Sequence, residues 1–241
     1  MAFAHRGGNE VWPENTMPAF QDAVDLGYRT LETDVRATRD GVLLGFHDDN
    51  LQRMAGQPGT LESTDYSDIQ LVKVGGSERL PLLEDILGSW PDIFVNIEPK
   101  HDSAVVPLIA VIKKTCAIDR VCIGSISAPR MTQIRTAFGP KLCTSMVPSE
   151  VVRLRLASFG LPMGRFEAGC VQVPVAHKGV SIVDRRFIAA ANARNLPVHV
   201  WTVNGALDMN RLIDLGVHGI MTDRLRVLKK VMRDRGLWVG H

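Results

Sequence analysis

No charge of one sign dominates this chain: 28 basic residues stand against 26 acidic ones, a formal net charge of +2. That balance excludes a broad electrostatic footprint for nucleic acid or an anionic membrane, so any anionic small molecule must be handled by local charges. Long hydrophobic runs are missing as well; the longest apolar stretch, residues 104–112, is too short to span a bilayer. Cysteine is scarce and scattered. Cys116, Cys122, Cys143 and Cys170 show no CxxC spacing and fall in apolar segments where small buried thiols are common. This argues against a disulfide framework and more strongly against a zinc site. The opening MAFAHRGG reaches charge at residue 6, which leaves no room for a secretory signal. The expectation is a soluble, reduced, cytoplasmic protein.

What the chain does have is a regular alternation of two periodicities. Its 241 residues, 45% of them apolar, suffice for a large core in one α/β barrel. Short β-branched or apolar runs occur at 2–5, 30–35, 42–46, 93–98, 121–125, 142–145, 170–173, 198–203 and 219–222. Between most of them lie helix-length segments with apolar residues at three- and four-residue spacing, such as 17–26, 104–116, 184–194 and 207–215. Alternation of this kind predicts parallel βαβ units. The nine strands are one too many for an eight-stranded barrel. The odd one, 42–46, follows Val35 through Thr38-Arg39-Asp40-Gly41, a tight-turn signal with no room for a helix. It reads as the return arm of a hairpin, and removing it leaves the eight units of a TIM (β/α)8 barrel. Residues 49–80, with Gln57-Pro58-Gly59 and Gly75-Gly76, read as a small insertion packed over one end of a single domain spanning 1–241.

In such a barrel the C-terminal strand ends carry the site. Those ends hold His5 and Arg6, Glu32 and Asp34, Glu98 and Lys100, Ser125, Gln172, and Trp201 to Asn204. Glu32 and Asp34 are two residues apart on one strand and point to the same face, and Glu98 arrives from the next barrel strand. Three carboxylates that close repel, and a hard divalent cation relieves them; all-oxygen ligation suits Mg²⁺ or Ca²⁺ rather than zinc. The other reading is that the acids only pair with Arg6 and Lys100. His5 ends the first strand and His47 ends the hairpin arm. Two imidazoles near one carboxylate cluster suit in-line displacement at a phosphodiester, one taking a proton while the other gives one. Trp201 either stacks on substrate or closes the barrel mouth, and Asn204 is a turn or cap residue or a ligand. Gln172 could contact a polar headgroup. Asp223 reads as the cap of the last helix. His101 and His199 read as structural.

These residues also carry a resemblance to the glycerophosphodiester phosphodiesterase family. The matching stretches are AHRGG, PENTMPAF, LETDV followed by TRDG, FHDDNLQR, LPLLEDIL, NIEPK, VWTVN and GVHGIMTDR, in order from residue 4 to about residue 230. The resemblance implies a TIM barrel with a small insertion after the HD motif. It implies that His5 and His47 are the acid–base pair, that Glu32, Asp34 and Glu98 hold one Mg²⁺ or Ca²⁺, and that Arg6 and Lys100 bind phosphate. The implied reaction is hydrolysis of deacylated phospholipids to an alcohol and sn-glycerol 3-phosphate, through attack by the neighbouring glycerol hydroxyl and a cyclic phosphate. Three positions depart from the pattern: Pro99 inside E-x-K, where the strand must end or bulge, Ile126, and Leu225 after TDR. Two alternatives stay in view. One is a phospholipase D of the same superfamily, which would expose an apolar rim for acyl chains; the other is a non-catalytic phosphodiester-binding relative, which would be expected to lack one of the five site residues.

Overall fold

Eight parallel strands, each followed by a helix, frame the computed structural model, which describes residues 1–239. The strands are β1 (Ala2–Ala4), β2 (Thr30–Ala37), β3 (Phe94–Pro99), β4 (Val121–Ile123), β5 (Cys143–Thr144), β6 (Val171–Pro174), β7 (Val198–Trp201) and β8 (Gly219–Thr222). The helices are α1 (Met17–Asp25), α2 (Leu83–Ser89), α3 (Val105–Lys114), α4 (Ala128–Phe138), α5 (Pro148–Ala157), α6 (Arg185–Asn192), α7 (Ala206–Leu215) and α8 (Leu225–Asp234). Around the wall the order is β5-β4-β3-β2-β1-β8-β7-β6. The remaining seam, β5 to β6, is joined by one parallel bridge, Ser145 to Cys170. Two backbone bonds back it up, Gly169 N to Thr144 O at 2.8 Å and Met146 N to Cys170 O at 3.0 Å. This is the TIM barrel that the alternation predicts.

Apolar side chains face outward from the strands, and polar ones face the lumen. Val35, Val95, Ile97, Val121 and Ile123 alternate along β2 to β4 and pack against α2 and α3. A larger layer joins Leu31, Val171, Val173, Val198, Val200 and Ile220 to Phe20, Phe187 and Leu212. Hydrophobic stabilisation therefore sits between strands and helices. The lumen takes Glu32, Asp34, Asn96 and Gln172 among others, and Gln172 Nε2 donates to Asn96 Oδ1 across it at 2.8 Å. Strand β2 is buried along all eight residues, so its Glu32, Asp34 and Arg36 are charges held away from water. Strand β3 ends at Pro99, the position at which its sequence requires an end or a bulge.

The return arm is Leu43–Gly45, antiparallel to β2 with Ala37 opposite Leu43 and Val35 opposite Gly45. Gly41 takes φ 84° in the turn, a left-handed conformation that glycine adopts without a side-chain clash. Beyond it the insertion folds into two short helices, Gln52–Ala55 and Tyr66–Ile69, and a small hairpin, Lys73–Val74 with Glu78–Arg79. Leu51, Leu61, Ile69, Val74 and Leu80 form its core together with Leu44 and Phe46 of the arm. The insertion and the arm thus stand or fall together. Leu61 is 1% exposed, and Leu61→Ala is expected to cost about 2–5 kcal/mol in denaturant unfolding; a cost below about 1 kcal/mol would mean that this small core contributes little.

Candidate active site

Strand register assembles the acids. Asp34 lies opposite Glu98, and Glu32 lies opposite Asn96, so the three carboxylates share one face at the mouth. Glu32 is 4% and Asp34 2% exposed, while Glu98 is half-buried. Burial, reinforced by the charge of Asp34, pushes the Glu32 carboxyl well above the usual carboxylate range, against the opposing pull of His5 and Arg6. Burial raises Glu98 as well, with Lys100 opposing. Two cations stand against the row. Arg6 Nε lies 2.8 Å from Asp34 Oδ2, and Lys100 Nζ lies 3.4 Å from Asp34 Oδ1 and 3.3 Å from Glu98 Oε2. The ion pairs of the second sequence reading are therefore present. Arg6 Nε nonetheless makes no hydrogen bond despite its burial, so part of its donor capacity is directed at none of its neighbours.

The turn after β1 aims a backbone donor at the same acids. Arg6 adopts φ 53°, and its N–H donates to Glu32 Oε2 at 2.9 Å. Gly7 follows at φ 78°, and a Cβ there would come within 2.9 Å of the Ala19 carbonyl carbon, so α1 can approach only a glycine. From the PENT segment, Asn15 Nδ2 donates to Asp34 Oδ2 at 3.4 Å while its Oδ1 accepts from Thr33 Oγ1 at 2.8 Å. Glu14 accepts from Arg6 Nη1 at 2.9 Å and from Arg53 Nη2 at 2.6 Å, tying the first turn to the insertion.

Each imidazole is held by a carboxylate at Nδ1. His5 Nδ1 donates to Asp223 Oδ1 at 2.6 Å, leaving Nε2 3.8 Å from Glu32 Oε2. His47 Nδ1 donates to Asp48 Oδ1 at 2.8 Å. An ionised carboxylate on Nδ1 fixes the ring and its tautomer and frees Nε2 for proton transfer. Burial alone would lower the His5 pKa, but Glu32 and the Asp223 hydrogen bond outweigh it, and the net shift is upward. The Arg53 guanidinium holds Asp48 down to about 2, ionised at any working pH. His47 acts on Glu98 electrostatically and His5 acts on Glu32, so the two rings address different members of the carboxylate row.

Several sequence readings change here. Asp223 does not cap α8, which begins after Arg224 with no side-chain cap. It orients His5, and it is itself held by Asn204 Nδ2 at 2.9 Å. Asn204 Oδ1 in turn accepts from Thr222 Oγ1 at 3.0 Å and from Asp223 N at 2.9 Å, which uses it as a clamp on this loop. Ser125 Oγ accepts from Ser127 N in a local turn, and Gln172 is committed to Asn96, the register partner of Glu32. Trp201, 38% exposed, stands at the end of β7. Arg36, which the strand pattern alone does not single out, donates through Nε to the His47 carbonyl at 3.1 Å and pairs with Glu62 at 2.7 Å and with Asp49. The second members of both carboxylate–imidazole pairs were within the HDD and TDR stretches, where an acid beside a histidine or a helix start has an ordinary local explanation. Asp223→Asn is expected to lower the midpoint at which His5 titrates, read by NMR of the imidazole; an unchanged midpoint would mean that Glu32 alone sustains the upward shift.

Residues 5–227 match the sequence model of the glycerophosphoryl diester phosphodiesterase family. A probable glycerophosphodiester phosphodiesterase 2 from Mycobacterium tuberculosis is 36% identical over 247 residues, covering 100% of this chain and 93% of that protein. Among solved structures, a putative glycerophosphoryl diester phosphodiesterase from Silicibacter pomeroyi is 22% identical with a TM-score of 0.82, covering 98% of this chain and 94% of its own. An Oleispira antarctica phosphodiesterase in complex with the product sn-glycerol-3-phosphate is 19% identical with a TM-score of 0.81, at 97% and 96% coverage. The last two establish likeness of fold, and the first two, together with an ordered set of acids and imidazoles at the barrel mouth, establish more: this chain belongs to the glycerophosphoryl diester phosphodiesterase family.

Proposed function

We propose that the chain hydrolyses glycerophosphodiesters to an alcohol and sn-glycerol 3-phosphate, with His5 and His47 as its acid–base pair. The observation that carries this reading is the matched tethering of two imidazoles, His5 to Asp223 and His47 to Asp48, beside one row of acids. Glu32, Asp34 and Glu98 supply the all-oxygen donor set that a hard divalent cation, Mg²⁺ or Ca²⁺, prefers, and two of them are almost fully buried; among the described residues their oxygens do not all lie within 4.8 Å of one another, and Arg6 and Lys100 pair with Asp34 and Glu98. Such an ion supplies stabilisation of negative charge on the phosphoryl oxygens when bound.

The chain's own groups do the rest. Arg6 and Lys100 flank Asp34 and offer positive charge to the phosphate. One Nε2 takes the proton from the neighbouring glycerol hydroxyl as it attacks phosphorus, and the other gives a proton to the departing alkoxide. Water then opens the cyclic phosphate with the two roles exchanged. Asp223 and Asp48 keep both rings oriented through the exchange. Beside His47 the cleft is lined by Arg36, Asp49, Asn50, Gln52, Arg53 and Lys100, a polar surface that suits a deacylated substrate. A phospholipase D would need an apolar rim; Leu61 and Ile69 of the insertion are buried in its core, and Leu71 is its one exposed large aliphatic side chain among the described residues. Among the described residues no helix is long and apolar enough to cross a membrane. We place the activity in the cytoplasm, a setting that suits four free thiols.

His5→Ala and His47→Ala are each expected to lower the rate of glycerol 3-phosphate release by about 10²–10⁴ while leaving metal affinity nearly unchanged. Substantial activity in either variant would remove that histidine from the proton transfers. EDTA should abolish activity, and Mg²⁺ or Ca²⁺ should restore it where Zn²⁺ does so poorly; full turnover in chelator would exclude the carboxylate row as a metal site. A panel of glycerophosphodiesters with lysophospholipids included separates the proposed substrate class from the acylated one.

A further inference from the structure

At the opposite end of the lumen the strand register gathers three cysteines that are far apart in sequence. Cys122 is the second residue of β4, Cys143 opens β5, and Cys170 immediately precedes β6. Cys122 and Cys143 are register partners, and Cys170 bridges to Ser145 across the β5–β6 seam. Alternation sends all three sulfurs into the lumen, because their neighbours Val121, Ile123 and Val171 pack outward against the helices. The Sγ atoms of Cys143 and Cys122 are 3.3 Å apart, those of Cys122 and Cys170 are 3.6 Å apart, and all three lie within 4.8 Å of one another.

We propose that Cys122, Cys143 and Cys170 form a second binding site, for one soft thiophilic cation of the Zn²⁺ or Cd²⁺ class, which clasps the seam where the barrel closes. The geometry suits that chemistry. Sulfurs sharing a tetrahedral zinc at about 2.3 Å stand roughly 3.8 Å from one another, so small side-chain movements bring this trio to ligating distance. Softness separates the site from the mouth: thiolates select soft cations, and the all-oxygen row selects hard ones. Cys143 is exposed and gives an approach from solvent, with up to three thiol protons released to water as the cation binds. Nearby on β7, His199 is 5% exposed and neither ring nitrogen has a partner, which makes this end of the lumen short of polar partners already. The absence of any CxxC spacing hid the site, since its ligands come from three successive strands rather than one loop.

The mechanical role follows from position. The β5–β6 seam rests on one bridge and a few backbone bonds, and a cation held by Cys143 and Cys170 would tie its two sides directly. Reduced wild-type protein titrated with Cd²⁺ should show a sulfur-to-cadmium charge-transfer band that saturates at one equivalent. The band should be lost in Cys143→Ser and Cys170→Ser and kept in Cys116→Ser, whose thiol lies outside the cluster. Retained phosphodiesterase activity certifies that the serine variants fold. Without any variant, Zn²⁺ should protect Cys122, Cys143 and Cys170 from alkylation and leave Cys116 unprotected, and it should raise the Tm. The absence of the band, its persistence in Cys143→Ser, or equal alkylation of all four thiols with and without Zn²⁺ would overturn the proposal.

Discussion

The rest of the molecule is arranged around one electrostatic difficulty: Glu32 and Asp34 are like charges, two residues apart, on a strand with no face open to water. Isolated carboxylates in that setting would neutralise by taking up protons. Here their surroundings supply the compensation from several directions. The left-handed turn at Arg6 presents an amide to one acid, the Arg6 and Lys100 side chains approach the other, and Asn15 reaches in from the PENT segment just ahead of α1. The Arg6 amide, the Arg6 side chain and Asn15 come from the first βα unit and Lys100 from the third, so neutralising β2 requires the units on both of its sides to be built.

The same need explains the polar lumen. A barrel interior filled with branched apolar side chains would leave the acids facing hydrocarbon. Amides stand beside the acids instead, with Gln172 bonded to Asn96, and the hydrophobic stabilisation is displaced into the layer under the helices. The insertion belongs to this scheme and is more than a cover. Arg36 leaves β2 two residues beyond Asp34, binds the His47 carbonyl and grips Glu62 in the insertion, so the position of the second imidazole is set by the strand that carries the acids. Glu14, shared by Arg6 and Arg53, closes the circuit.

Much of this was legible in the residues. Period-two runs and the Asp40-Gly41 turn located the eight barrel strands and the extra arm, because strand and turn signals are local. The two-residue spacing of Glu32 and Asp34 determined that they share a face for the same reason. What could not be read was pairing across distance. Asp223 has the local credentials of a helix cap, and only the β1–β8 neighbourhood shows that its partner is His5. Asn204 could be read as a turn or cap residue or as a ligand, and the structure uses its amide to steady Asp223. Cysteines on three strands carry no spacing signal at all; their encounter depends on register, which no single stretch encodes.

The pairing of His5 with Asp223 has a consequence for the life of the chain before it is finished. The two residues are 218 positions apart, one just after β1 and the other just after β8. A nascent chain or a C-terminally truncated fragment carries the entire carboxylate row, the PENT turn and the second imidazole, yet it has no orienting acid for the first. Under the proposed roles, turnover would wait until the eighth strand docks beside the first. Docking of β8 on β1 and completion of the proposed proton-transfer pair are then a single event.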